Sequence, residues 1–353
     1  MSLDWRPTCA IELLHFRARM LAEIRQFFAD RSVLEVETPL LSHSIGTDPH
    51  LEFFTTEYLS PGTVCMPQAR QERARRSPGT VCMPQDCREQ ARQALFLQTS
   101  PEFAMKRLLA AGSGSIYQIG KAFRNGESGR FHNPEFTMLE WYRVGFTLPQ
   151  LMDEIADLIG GLFSGQSLQE TQRVSYQDVF ASFTGLDPLV FAYQDYCAYV
   201  RGCGLSEAVD LCGHDHALWL DFLFSHKVQP HLGENALCLV YGYPACQSSL
   251  ARINEHNALT ADRVELFING VELGNGYYEL VDAEEQGRRF DKELSIRHQQ
   301  RLPVSVKDKH LIAALESGLP ECSGVAIGLD RLLMLLSGSA SIDDVLSFPI
   351  HRA

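Results

Sequence analysis

Apolar residues recur every three or four positions near the start of the chain, which predicts an amphipathic helix over residues 12–30. The apolar stripe of this helix consists of Leu13, Phe16, Met20, Ile24, Phe27 and Phe28. The period then changes to two. Residues 33–37 alternate between apolar and polar and run into Thr38 and Pro39, so we predict a strand that the proline ends.

The same pattern predicts further elements along the chain. Residues 95–97 are typical of a strand that enters a helix, with Ser100 as the N-cap and Pro101 at the first helical position. Residues 116–120 form another predicted strand, and residues 148–163 and 186–227 are predicted to be helices that cover the sheet.

Residues 264–274 predict a hairpin, because Asn269 and Gly270 favour a two-residue turn. Counting outward from this turn pairs Phe267 with Glu272 and puts Glu265 on the same face. Two carboxylates this close repel each other unless a cation lies between them. Mg²⁺ held by one or two carboxylates and nucleotide phosphates would meet that need, whereas a solvent-facing pair of acids is the alternative.

Residues 60–93 contain a tandem duplication: residues 60–68 recur 17 positions later, as residues 77–85. Pro, Gly and Arg dominate both copies, and two copies are too few for a solenoid. We interpret the segment as a projecting loop inserted between two strands. Its arginines are either solvated surface or a docking patch for an acidic partner.

Composition narrows the class of protein. The 353 residues have a net charge of −13, which counts against a broad nucleic-acid-binding face. No stretch of about 20 apolar residues or secretory leader is visible, so we expect a cytoplasmic protein without a membrane span. The ten cysteines form no CxxC pair, and we expect neither disulfides nor structural zinc. Residues 212–216, which include two histidines, are predicted to be a polar loop.

The most informative segments are Phe-Arg-Asn-Gly-Glu at residues 123–127 and His-Asn-Pro-Glu-Phe-Thr-Met-Leu-Glu at residues 132–140. They place a cation and several carboxylates on two extended segments joined by a turn, and a forked guanidinium suits a phosphate that becomes five-coordinate. Phe-Arg-x-x-Glu alone would also suit a surface strand. The whole run resembles motif 2 of the class II aminoacyl-tRNA synthetases, in wording close to the lysyl-specific members.

The other two motifs of that family have counterparts here. The first helix and strand resemble motif 1, which implies a homodimer, although an amphipathic helix packed within a monomer is the alternative. Residues 323–332 resemble motif 3, a glycine-rich strand followed by a helix that carries Arg331. The resemblance implies an α+β fold: a mostly antiparallel sheet flanked by helices, forming one catalytic domain over residues 1–353.

The resemblance also implies the residues that bind ATP and Mg²⁺. Arg124 would hold the α-phosphate, Phe136 would stack under adenine, and Arg331 would hold the γ-phosphate, with the two arginines as the catalytic residues. The metal acids would be Glu265 and Glu272. The full implied ATP-binding set is Arg124, Asn125, Gly126, Glu127, Asn133, Phe136, Glu272, Leu273, Gly328 and Arg331.

For the amino acid, the resemblance implies Glu279 as the acid that receives the side-chain ammonium, and Ser100 and Glu102 as the contacts of the other amino group. The full implied set is Ser100, Pro101, Glu102, Tyr142, Asn275, Glu279 and Ala326. Two amino groups need two separate acceptor ends in a pocket, because a buried unpaired cation is costly. Tyr142 would also suit a purely structural role.

Two differences from lysyl-tRNA synthetases indicate which related family this sequence resembles most. The motif 1 helix begins near residue 12, so we expect no anticodon-binding domain, and Ala326 stands where glycine is usual. Both features resemble the elongation factor P lysine ligases. That family implies ATP-dependent attachment of (R)-β-lysine, or lysine, to a lysine of elongation factor P. Aminoacylation of tRNA, which the acidic charge disfavours, and a non-catalytic amino-acid-binding paralogue are the alternatives.

Overall fold

The computed structural model of the protein describes residues 5–59, 92–166 and 168–353. Within these ranges the chain forms one large sheet, one small sheet and ten α-helices. The helices are α1 Ile11–Asp30, α2 Glu102–Ala110, α3 Leu148–Leu162, α4 Tyr176–Thr184, α5 Tyr193–Gly202, α6 Ala208–Cys212, α7 His216–Leu223, α8 Ala283–Gln299, α9 Lys309–Gly318 and α10 Leu329–Ser337.

The strands are β1 Leu34–Glu35, β2 Leu41–Ser42, β3 Thr55–Leu59, β4 Arg92–Leu97, β5 Ile116–Phe123, β6 Glu135–Val144, β7 Gln169–Ser175, β8 Ala236–Pro244, β9 Thr260–Ile268, β10 Val271–Tyr278 and β11 Cys322–Gly328. The large sheet has the order β1-β5-β6-β11-β10-β9-β8-β7, and the small sheet has the order β2-β4-β3. Only the two outermost pairs of the large sheet, β1 with β5 and β7 with β8, are parallel. The predicted mostly antiparallel sheet is confirmed.

The sequence pattern located most elements, with local differences. Helix α1 matches its prediction, but the strand after it shortens to Leu34–Glu35, because only these two residues have register partners on β5. Helix α2 begins at Glu102, one residue later than predicted. The Ser100 hydroxyl still accepts a hydrogen bond from the Glu102 backbone N–H (3.1 Å), so it orders the turn that precedes the helix.

The predicted helical range 186–227 is interrupted. Residues 186–192 are not helical, and the helices α5, α6 and α7 follow, ending in a π-helical turn over Phe224–Val228. Helix α4, which lies just before this range, was not predicted. Asp215 caps α7 by accepting from the backbone N–H of Ala217 and Leu218. The predicted polar loop over residues 212–216 is shorter in the structure, because α6 ends at Cys212 and α7 begins at His216.

The two faces of the large sheet are covered differently. On one face, α1, α3 and α10 pack on a continuous apolar layer that includes Leu139, Leu266 and Ile327. On the other face, α4 to α7 cover the strands near β8, and α2, α8 and α9 cover the strands near β5. The two clusters are separate, so the middle of this second face carries polar residues instead of apolar ones.

No helix in the described part of the chain is long and apolar enough to cross a membrane. Most of the duplicated segment over residues 60–93 lies outside the described residues. The predictions that it is a projecting loop and that residues 1–353 form one domain therefore stay predictions. The seven cysteines within the described ranges are all free, as the sequence predicts.

Asp330 joins three segments on the covered face. Its carboxylate accepts from the backbone N–H of Thr137 on β6 (2.6 Å) and pairs with Arg17 of α1, while it lies at the start of α10. Its side chain is 1% exposed. Because Asp330→Asn removes the charge opposite Arg17, we expect it to lower the free energy of unfolding by about 2 kcal/mol, measured by urea denaturation. Asp157→Asn, at a 67% exposed carboxylate near Arg31, should change stability by less than about 0.5 kcal/mol.

Candidate active site

A row of four residues, three of them polar, crosses the middle of the second face of the large sheet; we call it the polar row. In the register of the sheet, Glu140 on β6 is opposite Ala326 on β11, Ala326 is opposite Asn275 on β10, and Asn275 is opposite Glu265 on β9. Directly paired residues project to the same face of a sheet. The fold therefore brings together three of the predicted site residues, and Glu140 joins them.

A bulge in β10 shapes one end of this row. Phe267 pairs with Glu272, as counting from the turn predicts, but the register then shifts so that Gly274 is opposite Leu266. The residue between them, Leu273, is the extra one, and it is buried. Because of this shift, Asn275 and Glu272 share one face although three positions separate them, which a regular strand would not allow.

Glu265 and Glu272 line the same cavity of about 480 Å³, which lies between β9, β10 and the α4 to α7 helices. One oxygen of Glu265 accepts from the Tyr243 hydroxyl (2.6 Å), and the other pairs with the Arg263 guanidinium. Burial raises the pKa of Glu265; Arg263 opposes that shift and the charge of Glu272 adds to it. The two acids are thus close enough to interact, and Arg263 already compensates part of their charge.

These two carboxylates fit Mg²⁺ in one specific sense. Mg²⁺ commonly uses one or two protein carboxylates together with substrate phosphates and water, so a two-acid site is sufficient when a nucleotide is present. Within the described ranges no third acid, histidine or cysteine completes a cluster. The metal role of both residues stays a prediction.

The other end of the polar row is a buried acidic pocket. Glu279 is 1% exposed and Glu102 is 16% exposed, and both carboxylates contact the same Lys106 ammonium, at 2.6 and 2.7 Å. A third carboxylate, Glu140, accepts from the hydroxyls of Ser100 (2.8 Å) and Tyr142 (2.7 Å). The structure therefore brings together the predicted pair Ser100 and Glu102, with Pro101 between them, and the predicted Tyr142 and Glu279.

Burial dominates the electrostatics of this pocket. It raises the pKa of Glu140 to about 8, with a further contribution from the charge of Glu102. Burial also raises the pKa of Glu279, to about 7, although Lys106 opposes the shift. Burial by itself would lower the pKa of Lys106, but Glu102 and Glu279 outweigh it and the pKa rises. The pocket holds three acids that are poorly solvated, so it favours cationic groups.

Gly324 forms the floor of this pocket. A Cβ atom there would lie 2.3 Å from two ring carbons of Tyr142 and 2.8 Å from Glu279 Oε1. Such distances are far below normal contact, so only glycine lets the tyrosine ring and the carboxylate lie against this strand. Tyr142 is 3% exposed and lines the pocket, as predicted.

The nucleotide residues predicted from motif 2 surround a short hairpin. The Arg124 guanidinium carbon lies 5.1 Å from the centroid of the Phe136 ring, and its Nη1 lies 3.8 Å from Glu127 Oε1. The buried Arg124 Nε has no hydrogen-bond partner. A buried donor without a partner is unfavourable, so this guanidinium has an unused donor available for an anion.

The loop between β5 and β6 is fastened mainly by backbone groups. Asn125 donates its backbone N–H to Glu52 O (3.0 Å), and Gly126 has a φ of 78°, which favours glycine. The side chain of Asn133, a predicted ATP contact, donates to Glu135 O (2.6 Å) and accepts from the Ile350 N–H (3.0 Å). These bonds hold the loop, and the amide has a second N–H, so the contact with ATP stays a prediction.

Arg331 of motif 3 contacts the loop before β6 and the β9–β10 hairpin. It donates to the backbone carbonyls of Phe131 (3.0 Å) and Glu272 (2.9 Å), and its Nη2 lies 2.6 Å from Nε2 of His132. Burial and then the charge of Arg331 lower the pKa of His132, so a neutral ring can accept this hydrogen bond at neutral pH. A Cβ atom on Gly328 would lie 3.7 Å from Leu273 O, so these two predicted residues are neighbours beside Arg331.

Comparison with known proteins agrees with this arrangement. Residues 82–352 match the family of tRNA synthetases class II (D, K and N). Over its full length the chain is 45% identical to the whole of a Vibrio vulnificus protein named Elongation factor P--(R)-beta-lysine ligase. Proteins of the same name from Vibrio cholerae and Yersinia enterocolitica are 45% and 43% identical over 350 residues, which is 99% of this chain and 99% and 98% of theirs.

The chain belongs to this family of class II synthetase-like ligases. Its fold and its three motifs are those expected from the sequence resemblance. Within the ligase fold, motif 2 supplies Arg124 and Phe136, motif 3 supplies Arg331, and the β9–β10 hairpin supplies the two candidate metal acids. The role of each of these residues stays a prediction.

Three residues of the ligase site were missed in the sequence. Glu140 lies two positions before Tyr142 on β6, so the period of a strand puts both on one face. Lys106 lies four positions after Glu102 on α2, a spacing typical of a helical ion pair. Arg263 lies two positions before Glu265 on β9. A periodicity search around the predicted acids would therefore have found all three.

Proposed function

We propose that this ligase activates (R)-β-lysine with ATP and transfers it to the ε-amine of a specific lysine of elongation factor P. The observation that carries the proposal is the acidic pocket formed by Glu102, Glu140 and Glu279 at one end of the polar row. A buried acidic pocket suits a substrate with more than one ammonium group. The names of the relatives, which are elongation factor P ligases for (R)-β-lysine, support the same substrate and acceptor.

Activation would use the two ends of the site together. The acids would orient the amino groups, so that the substrate carboxylate meets the α-phosphate of ATP in line. Arg124, with its unused Nε donor, would stabilise the charge that develops on the α-phosphate, and Arg331 would hold the γ-phosphate until pyrophosphate leaves. Mg²⁺ bound by Glu265 and Glu272 would neutralise phosphate charge.

Transfer would follow from the mixed anhydride of the amino acid and AMP. The neutral ε-amine of the acceptor lysine attacks the acyl carbon, the new amide bond forms, and AMP leaves with the electrons of the broken bond. The amine must lose its proton before or during attack. We propose that the adenylate phosphate or a site carboxylate accepts it.

The first test measures ATP–pyrophosphate exchange with α-lysine and with (R)-β-lysine, followed by transfer of labelled amino acid to elongation factor P or to bulk tRNA. We expect exchange with a preference for β-lysine, and label on the protein acceptor. Label on tRNA would instead support aminoacylation, which the net charge of −13 disfavours. Absence of exchange with either lysine would support a non-catalytic amino-acid-binding role.

Ala326 is our candidate for the choice between lysine isomers. Its methyl group lies between Glu140 and Asn275 in the register of the sheet, in the middle of the site. One methyl group in a tight pocket changes selectivity by about 1–3 kcal/mol. In this proposal the selectivity determinant belongs to the sheet and not to a loop.

The affinity for β-lysine should depend on pH. Because burial raises the pKa of Glu279 to about 7 and of Glu140 to about 8, both acids are largely protonated at pH 6 in the free enzyme. Ammonium groups bind the ionised acids, so affinity should rise by about tenfold per pH unit between pH 7 and 8 and more steeply below pH 7, where both acids lose a proton, measured by calorimetry. Glu140→Gln should reduce the slope near pH 8. Affinity independent of pH would contradict this assignment.

We propose a homodimer and a cytoplasmic location for the ligase. The segment that resembles motif 1 exposes apolar side chains that a monomer would leave in water: Ile11, Leu34, Leu40 and Leu41 are 54%, 54%, 40% and 45% exposed. We expect light scattering to give twice the mass of one chain. Leu34→Asp should shift the species toward monomer, whereas Val304→Asp, at an 83% exposed valine elsewhere, should not. A monomeric wild type would refute the proposal.

A further inference from the structure

We propose that Lys106 is a specificity-determining residue of this site: its ammonium balances one of the three pocket carboxylates, so that the pocket accepts two substrate ammonium groups and no more. This inference rests on the proposed function, because it concerns how the same pocket recognises a diamino acid. Nothing in the sequence motifs assigns a role to Lys106. The assignment follows from its position between the acids.

The geometry of Lys106 is that of a built-in counter-ion. Its side chain is 2% exposed, and its ammonium lies 2.7 Å from Glu102 Oε1 and 2.6 Å from Glu279 Oε2. Glu102 is on the same helix, whereas Glu279 follows β10 on the sheet. A lysine this deeply buried is costly unless it is paired, and here it is paired with the two acids that are the candidates for binding the amino groups of the substrate.

The groups around Lys106 come from every element packed against it. The charges that act on Lys106 are those of Glu102, on its own helix, and Glu279, directly after β10. Cys322 of β11 is also near: burial raises the pKa of its thiol, Glu279 adds to the rise and Lys106 opposes it. From α8 and α9 come the apolar side chains of Phe290, Leu311 and Leu315. Within the described residues, Lys106 is therefore the cation that pairs with both Glu102 and Glu279.

The charges balance when the substrate is bound. Three ionised carboxylates and one ammonium then leave two negative charges, which match the two ammonium groups of a diamino acid. In the free pocket Lys106 opposes the rise that burial causes in the pKa of Glu279. Without Lys106 this pKa would rise further, and a protonated acid binds an ammonium poorly. Lys106 thus lowers the pH at which Glu279 can bind a substrate ammonium.

The test replaces Lys106 by methionine, which keeps an unbranched chain of similar length and removes the charge. The measured quantity is kcat/KM for β-lysine in pyrophosphate exchange between pH 6 and 9. An opposite charge at this distance changes a carboxyl pKa by about 1–3 units, so the acid limb of the profile should move up by about 1–3 pH units. KM for β-lysine should rise at pH 7 and fall again toward pH 9, while KM for ATP stays within about twofold. An acid limb at the wild-type position would overturn the proposal.

Two further variants separate charge from packing. Lys106→Arg keeps the cation and should keep the acid limb of the wild type. Lys106→Met combined with Glu102→Gln removes one charge of each sign, and it should restore the acid limb of the profile. If the single methionine variant does not fold, the double variant should fold, because no excess carboxylate remains. A double variant whose acid limb stays at the position of the single variant would mean that Lys106 only fills space, whatever affinity the loss of Glu102 costs.

Failure of the proposed function would look different. If the wild-type enzyme activates no diamino acid, the proposed function is wrong. The charge of Lys106 can then still be tested through the pH dependence of the melting temperature. A raised carboxyl pKa in the folded state means that the folded protein binds more protons, so its stability falls as pH rises. The melting temperature of Lys106→Met should then fall more steeply between pH 6 and 8 than that of the wild type. Parallel curves would overturn the inference independently of any activity.

Discussion

Replacement of Arg124 by alanine is expected to reduce ATP–pyrophosphate exchange roughly 10³-fold, mainly through kcat. The physical reason is that the guanidinium has a buried Nε without a hydrogen-bond partner, while Glu127, the acid that pairs with its Nη1 in the described part of the chain, lies 3.8 Å away. The Nε donor is thus unused within the described residues. We expect it to serve the charge that spreads over the α-phosphate as its coordination increases.

The matched control is Lys121→Ala on β5, the strand that ends one residue before Arg124. Lys121 is 43% exposed and pairs with Glu135 at 3.3 Å, so its removal takes away a nearby cation without touching the proposed phosphate site. We expect exchange within about twofold of the wild type, because a solvated ion pair contributes little. Equal losses in both variants would mean that general positive potential, and not the Arg124 donors, supports activation. Wild-type melting temperatures would exclude unfolding as the cause.

The elements of the fold were predictable where local pattern and tertiary packing agree. The apolar stripe that begins at Leu13 and the turn at Asn269 and Gly270 both lie where the sequence puts them. The interrupted range 186–227 was not predictable in detail, because a cluster of short helices reads as one apolar stretch. The ends of these helices depend on capping residues such as Asp215, and hydrophobic periodicity does not reveal caps.

The site was predictable from motifs, but its geometry depends on features that sequence does not reveal. Because of the bulge at Leu273, Asn275 and Glu272 share a face of the sheet. The sequence of the hairpin does not predict this extra residue. The resemblance supplied Glu102 and Glu279 one by one. Only the structure shows that Lys106 contacts both, because it brings a helix and the end of a strand together.

The same distinction applies to Asn133. The motif predicts a nucleotide contact, and the structure gives its side chain two partners within the protein, Glu135 and Ile350. A motif residue can therefore act on the ligand through the loop that it holds. Sequence resemblance predicts which residues belong to the site, whereas the structure adds which of them, such as Asn133, also hold the surrounding loop.

Gly324→Ala is expected to damage the amino-acid pocket while leaving the nucleotide end intact. The added methyl carbon would lie 2.3 Å from the Tyr142 ring and 2.8 Å from Glu279 Oε1. The tyrosine is 3% exposed and donates to Glu140, so it has little room to move. We expect kcat/KM for β-lysine to fall about 100-fold and the free energy of unfolding to fall by about 1–3 kcal/mol, with KM for ATP nearly unchanged.

Gly160→Ala on α3 supplies the matched control, because a Cβ atom there meets nothing within 4 Å. Alanine favours a helix over glycine by up to about 1 kcal/mol, so this variant should be as stable as the wild type or more so, with unchanged kinetics. Both variants add the same methyl group, so the comparison separates the clash at residue 324 from the general effect of replacing glycine by alanine. If Gly324→Ala keeps wild-type affinity for β-lysine, Tyr142 and Glu279 do not form the substrate pocket. If KM for β-lysine alone rises, the floor of the pocket is the strand that carries Gly324 and Ala326.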